Sequence, residues 1–254
     1  MARIFITGST DGLGQTAARL LLSTGHRVVV HARNASRALD VLPGADAVVT
    51  GDLSSIKETI ALAAAVNRLG AFDAVIHNAG VYLTSGRSGT VDGLPTVFAV
   101  NSLAPYILTC LIDRPARLVY LSSGLHKNGD PSMEDLTWEK RRWSASGAYA
   151  DSKLHDVLLA FAVARRWPGV YANAVDPGWV ATKMGGTGAP DSREQGADTP
   201  VWLATSDNAL VSGQYFYHRH ARTPHTSTAL VPVQEDFLLA CQRLSGVAFP
   251  TGGV

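Results

Sequence analysis

Short apolar, β-branched runs alternate with stretches of helical period along most of this chain, and that alternation leaves few folds open. The first run, Arg3-Ile4-Phe5-Ile6-Thr7, meets a glycine-rich turn and then a helical pattern carrying Ala17, Leu20, Leu21 and Leu22. His26-Arg27-Val28-Val29-Val30-His31 lacks the polar alternation of a half-exposed strand, as expected of a strand buried on both faces of a parallel sheet. Further strands are predicted over residues 45–50, 73–77, 117–121, 170–175 and 214–217. Helices are predicted over 54–69, 94–111 with a kink at Pro105, 144–167 and 193–204. Parallel neighbours need crossover connections, and right-handed crossovers place helices on both faces. The pattern predicts a single-domain, doubly wound α/β fold with a mostly parallel, seven-stranded sheet.

No internal repeat or linker composition divides the 254 residues, so one domain is expected over 1–254, with a core over about 2–217 and an extension over 218–254. Pro224, Pro232 and Pro250 interrupt that extension and leave one helix, over 234–244. Apolar residues at 46% and charged residues at 17% exclude a disordered chain. A net charge of +1 withholds the concentrated positive field of a nucleic-acid binder. Cys110 and Cys241 fit no metal-ligand spacing and read as free thiols of a reducing compartment. No apolar run reaches the roughly 18 residues of a membrane span, and Met1-Ala2-Arg3 leads into a strand without room for a signal peptide. A cytoplasmic protein with no membrane partner is expected.

The turn Gly8-Ser9-Thr10-Asp11-Gly12-Leu13-Gly14 sits between a first strand and a first helix. There, glycines let backbone approach a pyrophosphate, whose charge meets the helix N-terminus. The end of the second strand should report on the adenosine ribose. An acidic residue would bind both ribose hydroxyls, but the chain has His31-Ala32-Arg33-Asn34, and a guanidinium suits a 2′-phosphate. NADP(H) is the expected cofactor. Asp52-Leu53 and Asn78-Ala79-Gly80 follow the third and fourth strands, where a carboxylate could meet the adenine amino group and small residues could lie along the dinucleotide.

Tyr149-xxx-Lys153 is the candidate reaction centre, although YxxxK alone is common on helices. Spacing of i,i+4 puts both side chains on one helix face, where an ammonium would lower the tyrosine pKa from about 10 toward the working range. Ser123, just after the fifth strand, could donate to a substrate carbonyl; Ser122 competes for that role, and spacing alone does not decide between them. Asp151, inside the motif, is expected to face solvent. His218, His220 and His225 crowd the tail with Arg219 and Arg222, but no carboxylate or cysteine completes a metal site, and a solvated or subunit-facing loop is expected.

Together with Asn101 and Asp176-Pro177-Gly178-Trp179-Val180-Ala181-Thr182, these motifs occur in an order that resembles the short-chain dehydrogenase/reductase family, over about residues 2–217. The likeness is greatest to the branch of retinol dehydrogenases and bacterial ketone reductases. It implies a Rossmann fold with Tyr149 as general acid or base and Lys153 on the nicotinamide ribose. Ser123, the second serine of its pair, would orient the carbonyl, and Asn101 would hold a relay water. Pro177, Gly178, Val180 and Thr182 would lie along the nicotinamide.

The variable segments implied to contact substrate hold Val81, Tyr82, Leu125, His126, Trp143, Trp179 and Met184, a mostly apolar set that suits an apolar ketone or aldehyde, or the matching alcohol. Residues 184–190 hold three glycines and suit a lid. A non-catalytic NADP-sensing regulator is the rival from another class, but the resemblance implies such proteins lose part of the Tyr/Lys pair, which is intact here. A sugar-nucleotide epimerase or dehydratase shares YxxxK but needs a larger C-terminal substrate domain. Homodimer, homotetramer and monomer all stay open.

Overall fold

The computed structural model describes residues 1–39, 42–82 and 86–251. Its strands are β1 (Arg3–Ile6), β2 (Arg27–Ala32), β3 (Ala47–Thr50), β4 (Ala74–His77), β5 (Arg117–Leu121), β6 (Tyr171–Asp176), β7 (Tyr215–Tyr217) and β8 (His220–Arg222). They form one sheet in the order β3-β2-β1-β4-β5-β6-β7-β8, parallel throughout except for the β7–β8 pair. The helices are α1 (Gly12–Ser23), α2 (Ala35–Ala38), α3 (Ile56–Asn67), α4 (Thr96–Phe98), α5 (Ala104–Leu111), α6 (Ala145–Arg166), α7 (Arg193–Thr205) and α8 (Val231–Ser245).

Side chains alternate across each strand, and here both faces are covered. Phe5 and Val29 join Leu62 of α3, Leu108 of α5, Val157 of α6 and Phe237 of α8 in one core layer. Ile4, Ile6, Val28 and Val30 meet Ala17 and Leu21 of α1 and Leu203 of α7 in the other. This explains the unbroken apolar runs in the sequence.

Three expectations are corrected. The sheet has eight strands, because β7 turns back through His218 and Arg219, both at positive φ (47° and 60°), into an exposed, antiparallel β8. Such a turn usually announces itself with Asn-Gly, and β8 has no buried residue to give it an apolar signature. The single helix expected over 94–111 is α4, a π turn at Ala99–Leu103, and α5. Pro105 brings no N–H for the carbonyl of Asn101, four residues back, and the ladder widens there.

The tail helix starts at Val231 rather than 234, since Pro232 sits in its first turn, where a missing N–H costs nothing. Its buried Phe237, Leu238 and Cys241 complete the α6 side of the core, and Tyr106 Oη donates to the Val247 carbonyl at 2.8 Å. The extension thus packs into the same core. Both cysteines are free, and among the described residues no helix is long and apolar enough to cross a membrane.

Candidate active site

The strand order reverses between β1 and β4, and a trough of about 1330 Å³ opens at the carboxyl ends of the strands. Its floor is two backbone segments pressed together. Gly8 has φ +62°, and a Cβ there would lie 2.9 Å from the Cα of Ala79. A Cβ on Gly14 would lie 2.4 Å from Asn78 Nδ2 and 2.5 Å from the Gly8 carbonyl oxygen. Asn78 Nδ2 donates to the carbonyls of Thr7 and Gly8 at 2.9 and 3.0 Å. The backbone is therefore bare where a pyrophosphate would approach it, and Asp11, which caps α1, also lines the trough.

His31 locks this turn to the sheet. Its Nδ1 accepts from the Gly8 N–H at 2.9 Å, so the bond from Nε2 to the Gly51 carbonyl at 2.8 Å makes Nε2 the protonated nitrogen. Burial lowers its pKa and keeps it neutral. Thr10, Gly12, Leu13, Gly14, Arg33, Asp52, Leu53, Asn78, Ala79 and Gly80 all line the trough, as the sequence predicts.

Ser9 and Asn34 are not among the lining residues. The buried Ser9 hydroxyl donates to the Ile6 carbonyl and accepts from His31 N–H, while Asn34 caps α2. Arg37, which no sequence motif marks, lines the trough with Arg33 and lies 3.5 Å from Asp11. With no carboxylate at the end of β2 and two guanidiniums beside it, this end of the trough fits a phosphorylated ribose.

At the other end, Tyr149, Lys153, Ser122 and Ser123 line the wall. The buried Ser122 hydroxyl donates to the Lys153 carbonyl at 2.7 Å, so of the pair Ser123 has the freer hydroxyl, which accepts from the Leu125 N–H at 3.3 Å. The Tyr149 ring packs against Tyr82 at 5.0 Å between centroids, and Lys153 Nζ lies 5.7 Å from the Tyr149 ring centre. Burial raises the Tyr149 pKa; Lys153 pulls it down, and Asp156, Asp176 and Tyr82 push it up. The net direction is upward, which corrects the expectation of a depressed value.

Asn101 is fully buried in the π turn, outside the lining. Its Oδ1 accepts from Val81 N–H at 2.8 Å and its Nδ2 donates to the Val81 carbonyl and Ser152 Oγ, so the side chain anchors the segment after Gly80.

Tyr82, Leu125, Trp179 and Met184 line the trough and are more than a third exposed, forming an apolar lip, with Val81, Pro177, Gly178, Val180 and Thr182 beside them. Trp143 does not belong: it stacks edge-on against Trp138 at 5.4 Å, outside the trough. Nor does His126, fully buried with Nδ1 on the Ser123 carbonyl at 2.7 Å and Nε2 accepting from His225 N–H.

Asp151, expected in solvent, is buried against Arg141 Nη2 at 2.6 Å. Asp176, quoted in the sequence only as the start of a motif, and Tyr217, which no sequence signal marks, also line the trough. The glycine-bearing segment is tied down at Trp179, whose Nε1 donates to the Gly185 carbonyl at 2.8 Å, and its Lys183 reaches across to Asp11. Among the described residues, no group of three histidine, cysteine or carboxylate side chains could hold a metal.

A model of the short chain dehydrogenase family matches residues 2–124. An uncharacterized oxidoreductase of Emericella nidulans is 47% identical over 99% of this chain and 100% of its own length. A Streptomyces protein described as a candidate daunorubicin C-13 ketoreductase is 34% identical over 85% of this chain and 83% of its own. A crystal structure of a Mycobacterium paratuberculosis protein superposes with a TM-score of 0.85 at 26% identity, covering 98% of this chain and 95% of that one.

Proposed function

From the premise that this chain belongs to the short-chain dehydrogenase/reductase family, we propose that it is an NADP(H)-dependent reductase of mainly apolar ketones or aldehydes. The carrying observation is that one trough holds a bare glycine floor and two arginines at one end, and Tyr149, Lys153, Ser123 and an apolar lip at the other. The bare floor and the paired guanidiniums fit the dinucleotide and its 2′-phosphate. Gly8, Gly12, Leu13, Gly14, Ala79 and Gly80 would hold the pyrophosphate and ribose, and Arg33 with Arg37 the 2′-phosphate.

The chemistry that NADPH would supply when bound there is a hydride for the carbonyl carbon. Tyr149 gives its hydroxyl proton to the carbonyl oxygen, which completes the alcohol and leaves the phenolate to be reprotonated from solvent. Ser123 donates a hydrogen bond to the same oxygen and orients it. Lys153 stabilises the phenolate and binds the nicotinamide ribose. Asn101 holds Val81, and with it the wall beside Gly80. A raised phenol pKa favours the hydroxyl form, which is the form reduction consumes. The Streptomyces relative's described ketoreductase activity supports a ketone substrate. A cytoplasmic location accords with both free cysteines and with an NADPH-using role.

The test is NADPH consumption by the purified protein across aliphatic, aromatic and polycyclic ketones and aldehydes, with Tyr149→Phe alongside. Turnover that vanishes in the variant, with NADPH binding retained, is expected. Undiminished turnover by Tyr149→Phe would reject the mechanism.

A further inference from the structure

Lys153 and Asp156 are both almost wholly buried, one helical turn apart on α6, and Lys153 Nζ donates to Asp156 Oδ2 at 2.8 Å. The same nitrogen donates to the Leu121 carbonyl at 2.7 Å. An ammonium has three N–H bonds, so these two contacts leave one. Lys153 lines the trough, with Nζ beside Gly80, where an added Cβ would come within 3.6 Å of it. We infer that Asp156 is a positioning residue of the reaction centre: it holds the Lys153 ammonium charged and aimed, with its one remaining donor free for the trough. The inference rests on the role proposed above for Lys153.

A lone ammonium in so dry a place sheds its proton. Burial does act that way on Lys153, but the Asp156 carboxylate and the Tyr149 phenol reverse it, and the net direction is upward. Asp156 bears the counterpart cost, its pKa pushed up to about 7 by burial against the pull of Lys153. The titratable groups around the pair are Tyr149 on α6 itself, Tyr120 on β5, Asp176 at the end of β6, and Tyr82 against Tyr149. Asp156 touches neither the lip nor the floor of the trough; it acts through its contact with Lys153 and through its charge, which raises the Tyr149 pKa.

Asp156→Asn keeps the shape and the acceptor oxygen and removes the charge. Without its counter-ion the lysine loses its proton at lower pH; while it stays charged, its unshielded field lowers the phenol pKa. Both effects move the alkaline limb of kcat for reduction toward acid, by about one to three pH units for a charge at this distance. Activity should recover as the pH is lowered, and Asp156→Glu, which keeps the charge, should leave the limb near its native position. An unmoved limb in folded Asp156→Asn overturns the inference.

A second measurement needs neither turnover nor a variant at position 156. In a ¹⁵N–¹H correlation spectrum of the native protein, the Lys153 side-chain signal (identified by its loss in Lys153→Met) should still be that of an ammonium at pH 8. A neutral amine at pH 8 overturns the inference. An ammonium in a protein whose Tyr149→Phe variant still turns over would reject the proposed chemistry and leave the ion-pair's hold on Lys153 standing.

Discussion

Arg33→Ala separates the two nicotinamide dinucleotides, and the structure sets the scale. Arg33 and Arg37 both line the adenosine end of the trough, but their surroundings differ. Arg37 already lies 3.5 Å from Asp11, a carboxylate that Lys183 also engages. Part of its charge is thus answered within the protein, whereas no ion pair to Arg33 is found among the described residues. A hydrogen bond to a charged group contributes about 1.5–3 kcal/mol, or roughly 10- to 150-fold in affinity.

Arg33 is exposed, and salt at physiological strength screens such a pair, so the lower half of that range applies. Arg33→Ala should therefore weaken NADPH about 10- to 30-fold in 0.15 M salt. NADH, which lacks the 2′-phosphate, should change by less than about 3-fold. Arg37→Ala should cost NADPH less, since removing it also frees Asp11 to pair with Lys183 alone. Titration of cofactor fluorescence gives both dissociation constants directly. An equal loss for the two dinucleotides in Arg33→Ala would refute the phosphate role, and a larger NADPH loss in Arg37→Ala would reverse the order argued here.

Trp179→Ala should raise KM for bulky ketones about tenfold, the order expected when a large apolar contact of roughly 1–2 kcal/mol is removed from an open lip, while Trp143→Phe leaves KM unchanged. An equal KM effect from both would return Trp143 to the site. Stability should fall with acid: His77 and His155 are fully buried and their pKa values are pushed down to about 3 by burial, whereas unfolded imidazoles titrate near 6.5. Folded-state values below the unfolded one mean that this stability is complete above about pH 6.5 and is lost as pH falls toward 3, each group contributing at most about 1.4 kcal/mol per pH unit. Tm measured from pH 7.5 to 4.5 should decline, and His155→Gln should lessen the slope; a native Tm flat to pH 5 contradicts the reading.

The sheet and the trough were legible because their signals are local. A strand covered on both faces must be apolar at successive positions, as Val28, Val29 and Val30 are, and a backbone pressed to 2.9 Å must carry glycine, as Gly8 does. Order along the chain then brings Asn78, Ser123, Tyr149 and Lys153 to one edge of the sheet, because each follows a strand or opens the helix after it. What stayed illegible depends on partners distant in sequence or on common residue types in uncommon places. Asp151 on a helix reads as a surface carboxylate until Arg141, from the loop before α6, is seen to cover it. Trp143 reads as a lip residue until Trp138 claims it. His126 holds the Ser123 carbonyl only because the tail returns to give it the His225 N–H.

The phenol of Tyr149 shows why a motif read from spacing can mislead about protonation. The spacing to Lys153 states that an ammonium is near, and it is, with the predicted sign of effect. What spacing does not state is how much water the pair has lost or what else carries charge beside it. In the folded site the ammonium is matched by Asp156 at 2.8 Å, Asp176 adds a second carboxylate at the substrate end, and burial penalises the phenolate further. The residue pair names the proposed reacting groups, but the resting protonation state is set by their surroundings. Here those surroundings favour a proton donor, and a phenolate suited to oxidation would form only as added positive charge in the trough offset both carboxylates.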